Sequence, residues 1–551
     1  MNSTVYDYVI IGSGFGGSVS AMRLTEKGYR VLVLERGKRF FDQDFATTNW
    51  QVWKYLWFPA LRWFGILQIS PFRNVFVLHG SGVGGGSLGY ANVLMEPDDA
   101  SFANPGWQRP IDWRAALRPH YETAKRMLGV TTNPRLWKAD ETLREIAHEL
   151  GHEDSFRPVT TGIFFGEPGV EVHDPFFGGE GPARTGCIHC GSCMIGCRQN
   201  SKNTLMKNYL YFAEKWGADV LSEAEVRDVR PFVEEQPDGA RYKVLYRRTT
   251  QPFGAKTTSV RARNVIFAAG ALGTMRLLFR CRDLTGSLAK LSPCLGENVR
   301  TNSEALLGST SRVFDTDYSQ GIAITSIFNA DAVTTVEPVR YPAGSSLMRI
   351  LAGPMTQGRN LPVRFVKSIV QIILKLPSFL NVQFGRHWAE RTTILLVMQH
   401  EDNRIRMRLG RSIFTFLKRN LVSAPDEKRS IPTQIESGHE VARRFAEKTG
   451  GFAQGSINEG LLNIPMTAHI LGGVPFGESA SDGVVAANCE IHNYPGLFVI
   501  DGSIVPANPG VNPSLTITAL AEYAMSLVPP RTPHARATQG QMGVENVDST
   551  L

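Results

Sequence analysis

Four thiols stand within eleven residues in Cys187-Ile-His-Cys190-Gly-Ser-Cys193-Met-Ile-Gly-Cys197. Gaps of two, two and three residues are the spacing that wraps an iron–sulfur cluster, and four thiolates also suit zinc. Ferredoxin runs of this kind continue with proline and lend their fourth cysteine to a second cluster. Here Arg198 follows and there is no second run, so a cluster would need Cys197 to fold back, or would use three thiolates. The alternative is a reduced, metal-free cysteine-rich loop, with His189 as a loop residue inside it. A second chemistry is written in Gly12-Ser-Gly14-Phe-Gly-Gly17 and Glu35. Gly12 allows a tight turn, Gly14 lets a pyrophosphate reach the backbone, and Gly17 permits close helix–strand packing. Glu35 lies 23 positions after Gly12, where a carboxylate takes a ribose hydroxyl and repels a 2′-phosphate.

These residues work only if the elements around them are right. Tyr8–Ile11 is a short apolar, β-branched run, SVSAMRLTEKG has a helical pattern, and Tyr29–Glu35 is a second apolar run. Strand, glycine turn, helix and strand place phosphates at a helix N-terminus, where free N–H groups and the dipole favour anions. Asn264–Gly270 and Leu497–Gly502 read as further buried strands, the latter ending in Asp501, a carboxylate suited to a ribityl or ribose hydroxyl. The run Gly80-Ser-Gly82-Val-Gly84-Gly85-Gly86-Ser87 reads as a loop that lets a ligand approach the backbone.

Length and composition set the limits. The chain has 551 residues, 42% apolar and 20% charged, with 59 basic and 51 acidic side chains. That is more than one domain of ordinary globular composition, and bulk disorder is excluded. A net charge of +8 spread over this length forms no dense basic run, so no nucleic-acid role is expected. The N-terminus has no signal-peptide pattern and no stretch has the length of a membrane span, so a cytoplasmic location is expected, with contact at a membrane periphery as an addition.

GSGFGG, GVGGGSLGYANVLMEP, FAAGALGTMRLLFR, TAHILGGVPFG and LFVIDGSIVPANPGVNPSLTITALAE together resemble the glucose–methanol–choline oxidoreductase family, and within it the bacterial cholesterol oxidase branch, over about residues 5–530. The resemblance implies an α/β fold: a Rossmann-like FAD-binding domain, discontinuous over residues 1–50, 75–100, 200–305 and 484–530, interleaved with a mixed-sheet substrate domain over 101–199 and 306–483. Residues 51–74 would form an aromatic lid or entrance, and 531–551 a flexible tail. The implied cofactor contacts are Gly12, Gly14, Gly17, Glu35, Gly82, Gly84, Gly85, Gly86, Val226, Asp501 and Gly502.

The implied activity is oxidation of a CH–OH group on a steroid or other bulky hydrophobic alcohol, with hydride passing to FAD. Such a step needs a base close to the hydroxyl and a polar group to fix the carbinol. His469 in HILGG and Asn512 in GVNPS match the family's histidine and asparagine. Histidine suits the role because its ordinary pKa lies near neutrality. Two positions depart from the cholesterol oxidase pattern. Tyr90, with Asn92 two further on, replaces an asparagine in the flavin loop, and Ser346 stands where the family has a glutamate that isomerises the product double bond. A hydroxyl cannot serve as that base, so oxidation is expected with the isomerase step in doubt unless Glu337 or Glu401 substitutes.

Residues 50–66 (WQVWKYLWFPALRWFGI) hold four tryptophans, two phenylalanines and one tyrosine, either as core or as the mouth of an apolar channel. Over residues 364–376, Arg364, Ser368, Gln371 and Lys375 form one narrow polar stripe, Lys367 lies beside it, and the rest is apolar. Such a helix either packs deeply or lies on a membrane with its cations toward the headgroups; core packing is the expectation. The electron acceptor is O2, or a carrier if the cysteine run holds iron and sulfur. A non-catalytic flavin-bearing lipid-binding protein is the remaining alternative.

Overall fold

The computed structural model describes residues 5–107, 110–251, 256–356, 358 and 361–532; most of the tail read from the sequence lies outside them. The strand Val5–Ile11 forms because its β-branched residues are buried from Asp7 onward. It pairs in parallel with Val31–Leu34 and Thr258–Phe267, setting Ile11 opposite both Leu34 and Phe267. Asp219–Leu221 extends the sheet beyond Val31–Leu34. Leu497–Val499 pairs in parallel with the end of Thr258–Phe267, and an antiparallel pair, Tyr242–Arg248 and Ala224–Pro231, completes it. Four of these five parallel strands deliver Gly12, Glu35, Ala268–Gly270 and Asp501 to one edge. A crevice outside strand carboxyl ends is where α/β sheets bind ligands.

A second seven-stranded sheet runs in the order Ala352–Pro354, Gly451–Ser456, Ala305–Ser311, Thr392–Gln399, Thr334–Val339, Ser326–Asn329, Arg157–Pro158. Its strands alternate in the expected period of two. Leu307, Leu395 and Val397 pack with Leu143, Ile146, Val441 and Phe445 of the helices Lys138–Glu149 and Glu436–Lys448. Leu306, Ile394 and Leu396, one residue out of step, face the cavity described below. The pairing of Leu306 with Leu396 and of Leu307 with Leu395 keeps both faces in register.

The segment with the polar stripe folds as the helices Leu361–Leu374 and Leu376–Phe384, bent by 88° at the break. Core packing of its apolar face is not what forms. The first half of the stripe faces inward: Arg364 and Ser368 are fully buried and Gln371 is half-buried, while Lys375 is exposed along with Val366, Ile369, Ile373 and Leu374. Arg364 decides this orientation. Its guanidinium donates to Thr356 O, Thr433 O and Glu459 Oε1 at 2.9–3.1 Å, and also to Asn463 Oδ1.

Candidate active site

The Gly12–Gly17 turn takes the form its spacing predicts. Gly12 has φ +102°, and a Cβ there would stand 2.3 Å from Ala268 O. At Gly17 a Cβ would stand 2.1 Å from Gly12 O, so this glycine serves helix–strand packing and does not face the cleft. A Cβ on Gly14 meets nothing within 4 Å, and Gly14 caps the helix Phe15–Glu26. Gly270 caps Ala271–Asp283 at the same edge, again with open space beside it. Two helix N-termini thus open onto one cleft.

That cleft belongs to a cavity of about 570 Å³ lined by Gly12, Gly14, Glu35, Gly85, Gly86, Val226, Asp501 and Gly502. Gly82 and Gly84 do not line it; with φ of +127° and +100° they shape the loop behind. Glu35 is anchored by Ser13 Oγ at 2.8 Å and Gly37 N at 2.8 Å. Asp501 accepts from Thr274 Oγ1 and Ser503 Oγ, both at 2.5 Å, and burial pushes its carboxyl up. Arg36 and Arg276, which the motif reading missed, also line the cleft. Arg276 Nε is buried without a partner, and burial brings the guanidinium down to about 10. A half-buried guanidinium with its buried Nε unpartnered, beside two helix N-termini, suits an anion such as a pyrophosphate.

The same cavity continues into an apolar chamber walled by Val93, Met194, Ile324, Val339, Tyr341 and Ile394, with Tyr55, Ile66 and Leu67 from the aromatic segment. His469 and Asn512 both line it, so the two ends of the chain meet. His469 Nδ1 lies against the carboxylate of Glu304, a fully buried side chain that also accepts the Ala468 N–H at 2.7 Å. Nδ1 therefore faces the Glu304 carboxylate as an ion-pair contact without a formed hydrogen bond, and Nε2 is the ring's other polar atom. The backbone N–H of His469 donates to Thr467 Oγ1 at 2.9 Å, and that hydroxyl donates to Thr301 O at 2.8 Å. Nothing near His469 in sequence signalled Glu304, since the contact spans 165 positions.

Glu337 sits on the cavity face of the second sheet, opposite Leu396, with Asn512 beside it. It is fully buried, and burial pushes its carboxyl up to about 8; the neighbouring Asn512 carboxamide opposes this shift without cancelling it. Stability from a raised carboxyl is full below the ordinary carboxylate range and is lost as pH rises through about 8. Glu337→Gln is accordingly expected to be as stable as the parent at pH ~5 and more stable at pH ~9 by thermal unfolding. Glu401 is exposed, and Ser346 Oγ accepts from Trp50 Nε1 at 2.9 Å; neither enters the chamber. Tyr90 lines the cavity and Asn92 is buried beyond it.

Two family models described as GMC oxidoreductase match residues 183–299 and 400–521, and one described as an NAD(P)-binding Rossmann-like domain matches 10–41. A cholesterol oxidase of Mycobacterium tuberculosis is 46% identical over 541 residues, covering 95% of this chain and 91% of that protein. The chain belongs to the glucose–methanol–choline oxidoreductase family. A cholesterol oxidase of Acinetobacter baumannii is 42% identical, covering 96% and 95%. Among solved structures, pyridoxine 4-oxidase from Mesorbium loti superposes with a TM-score of 0.59 at 17% identity, over 95% of this chain and 99% of that one, which shows the shared fold. The protein is therefore an FAD-dependent oxidoreductase acting on CH–OH groups; Gly14, Gly270, Arg276, Glu35 and Asp501, which line the cleft, could hold the cofactor.

The structure does not gather the cysteine run into a metal-binding group. Among the described residues no three His, Cys, Asp or Glu side chains form a group able to hold a metal ion. Cys187, Cys190, Cys193 and Cys197 line a space of about 20 Å³, room for roughly one water-sized sphere. Packing claims one thiol of the four outright, while the other three are half-buried. Cys187 is buried against Ile163 and Ile322, and burial pushes its thiol up and that of Cys193 to about 11. Lys202, wholly buried and brought down to about 7 by burial, donates to Leu88 O, Tyr90 O and Cys193 O at 2.8–3.0 Å. It ties the run to the flavin loop, so the segment works as a brace.

Proposed function

We propose that this enzyme oxidises the secondary hydroxyl of a steroid or similarly bulky lipophilic alcohol to a ketone, with O2 taking the electrons. One observation carries the reading: the nucleotide cleft and an apolar chamber are a single cavity, with an imidazole and a carboxamide in its wall. In the chamber the alcohol makes few polar contacts, so its hydroxyl finds its partners at His469 and Asn512. His469 Nε2 accepts the hydroxyl proton while the Glu304 carboxylate stabilises the imidazolium that results. Asn512 orients the oxygen. The C–H electron pair leaves the carbinol carbon as hydride, and a C=O bond forms. FAD, when bound, supplies the hydride acceptor. An anaerobic screen of sterols, long-chain alcohols and sugars, read as bleaching of the flavin absorbance, tests this; bleaching is expected with sterols, and bleaching by sugars alone would overturn it.

Oxidation without isomerisation follows from the same walls. Among the described residues, the carboxylates lining the cavity are Glu35, Glu225 and Asp501, all on the nucleotide side. Glu337 stands behind Asn512 and is held toward its neutral form. A sterol with an adjacent ring double bond should therefore give chiefly the unconjugated ketone, measured by chromatography of early product; a dominant conjugated ketone would assign Glu337 as the missing base.

A further inference from the structure

We propose that the bent helical pair Leu361–Phe384 and the aromatic segment around Trp53 together dock the protein on an anionic phospholipid bilayer. The inference rests on the lipophilic-alcohol reading only for what is delivered; the docking surface stands on its own observations. The first is an inverted helix. Amphipathic helices of soluble proteins turn their polar face to water, yet here Arg364 and Ser368 are wholly buried, while Val366 is 59% exposed, Ile373 65%, Leu374 76% and Phe384 75%. Contiguous exposed apolar surface on this scale marks a binding site.

The second observation is charge. From residue 338 to residue 389 the chain contains no Asp or Glu, while Lys367, Lys375 and Arg386 stand exposed on or beside the pair. From residue 45 to residue 95 acidic residues are again absent, and Lys54 and Arg62 are exposed among Trp53, Phe58 and Leu61. The two acid-free segments meet in space: Trp50 Nε1 donates to Ser346 Oγ at 2.9 Å, and the Arg349 guanidinium stands 5.5 Å from the Trp50 ring centre. A second copy of the chain would set cations against cations. An anionic lipid surface matches both the apolar face and its basic flanks.

Geometry selects lying flat over spanning. Among the described residues no single helix is long and apolar enough to cross a membrane. Arms of 14 and 9 residues measure about 21 and 14 Å at 1.5 Å per residue, short of a hydrocarbon core of about 30 Å. An 88° bend lets both arms lie in one plane. The surface is also continuous with the cavity wall. Tyr55 lines the cavity from the short helix that carries Trp53, and Tyr341 lines it a few residues ahead of Ser346. A lipophilic alcohol leaving the bilayer would then meet this wall without crossing water.

The test is co-sedimentation of the FAD-loaded full chain with vesicles of phosphatidylcholine alone or mixed with phosphatidylglycerol, at low and high salt. Binding to the mixed vesicles is expected, weakened by salt and by loss of the anionic lipid. Ile373→Asp with Leu374→Asp should lower binding roughly tenfold or more, and Lys367→Glu about fivefold or more. Oxidation of a detergent-solubilised alcohol should be unchanged in these variants, because the residues lie outside the cavity. Failure of the parent to sediment with anionic vesicles would overturn the docking proposal, as would aspartate variants that bind like the parent. So would a parent that is dimeric by light scattering and becomes monomeric in the aspartate variants. Loss of activity in solubilised assays of the parent would instead count against the substrate reading.

Discussion

Replacing His469 with alanine is expected to slow anaerobic flavin reduction by a saturating alcohol about 10²–10⁴-fold, with flavin content unchanged. The size follows from the role. Without the imidazole the hydroxyl proton has no acceptor in the chamber wall, and the negative charge that builds on oxygen as hydride departs must be borne beside the buried Glu304 carboxylate. Asn512 cannot substitute, because a carboxamide orients without taking a proton. Glu304→Gln separates positioning from charge. It keeps a group of the same shape beside Nδ1 and removes the stabilisation of the imidazolium, so its rate should fall between parent and His469→Ala. Stopped-flow absorbance at the flavin band reads all three, and a parent-like rate in His469→Ala would remove the histidine from the reaction.

The second large effect concerns the cofactor. Gly14→Val should fold and purify nearly colourless, with flavin per polypeptide reduced roughly tenfold or more. Gly14 has φ −72°, and nothing lies within 4 Å of where its Cβ would stand, so a side chain starts there into open space. Only a ligand lying against the helix N-terminus would object. Gly12→Ala makes the contrast: its φ is +102°, and its Cβ would stand 2.3 Å from Ala268 O. This variant is expected to be lost to misfolding, a failure of the chain where Gly14→Val is a failure of the cradle. Circular dichroism with flavin absorbance after denaturation distinguishes the two, and a fully flavinylated Gly14→Val would move the phosphates elsewhere.

Much of the site was legible because glycine turns and strand ends are local. The first 35 residues specify a turn, a cap and an acid, and backbone sterics leave that pattern few ways to fold. His469 and Asn512 were legible through the resemblance of their flanking segments, and the fold places both in the cavity wall. Glu304 was invisible, because a carboxylate 165 positions away has no periodic relation to its histidine. Glu337 was visible as a residue, but not as one buried behind Asn512 with its carboxyl raised. The cysteine spacing was read for ligation, yet spacing records separation along the chain and says nothing of which thiols the core will claim. Cys187 went to Ile163 and Ile322, and the backbone carbonyl of Cys193 to Lys202.

The amino-acid order by itself determined the nucleotide turn, the family, and two side chains, His469 and Asn512, that line the cavity. Tertiary structure decided what stands behind those side chains and which way the helix at 361–374 faces. Periodicity shows that a helix has two unlike faces. Which face turns inward depends on what waits there, and here Glu459, Asn463, three backbone carbonyls and one hydroxyl wait for Arg364 and Ser368. A buried guanidinium with a full set of partners outweighs the exposure of a few aliphatic side chains, so Arg364 and Ser368 went in and the apolar face came out.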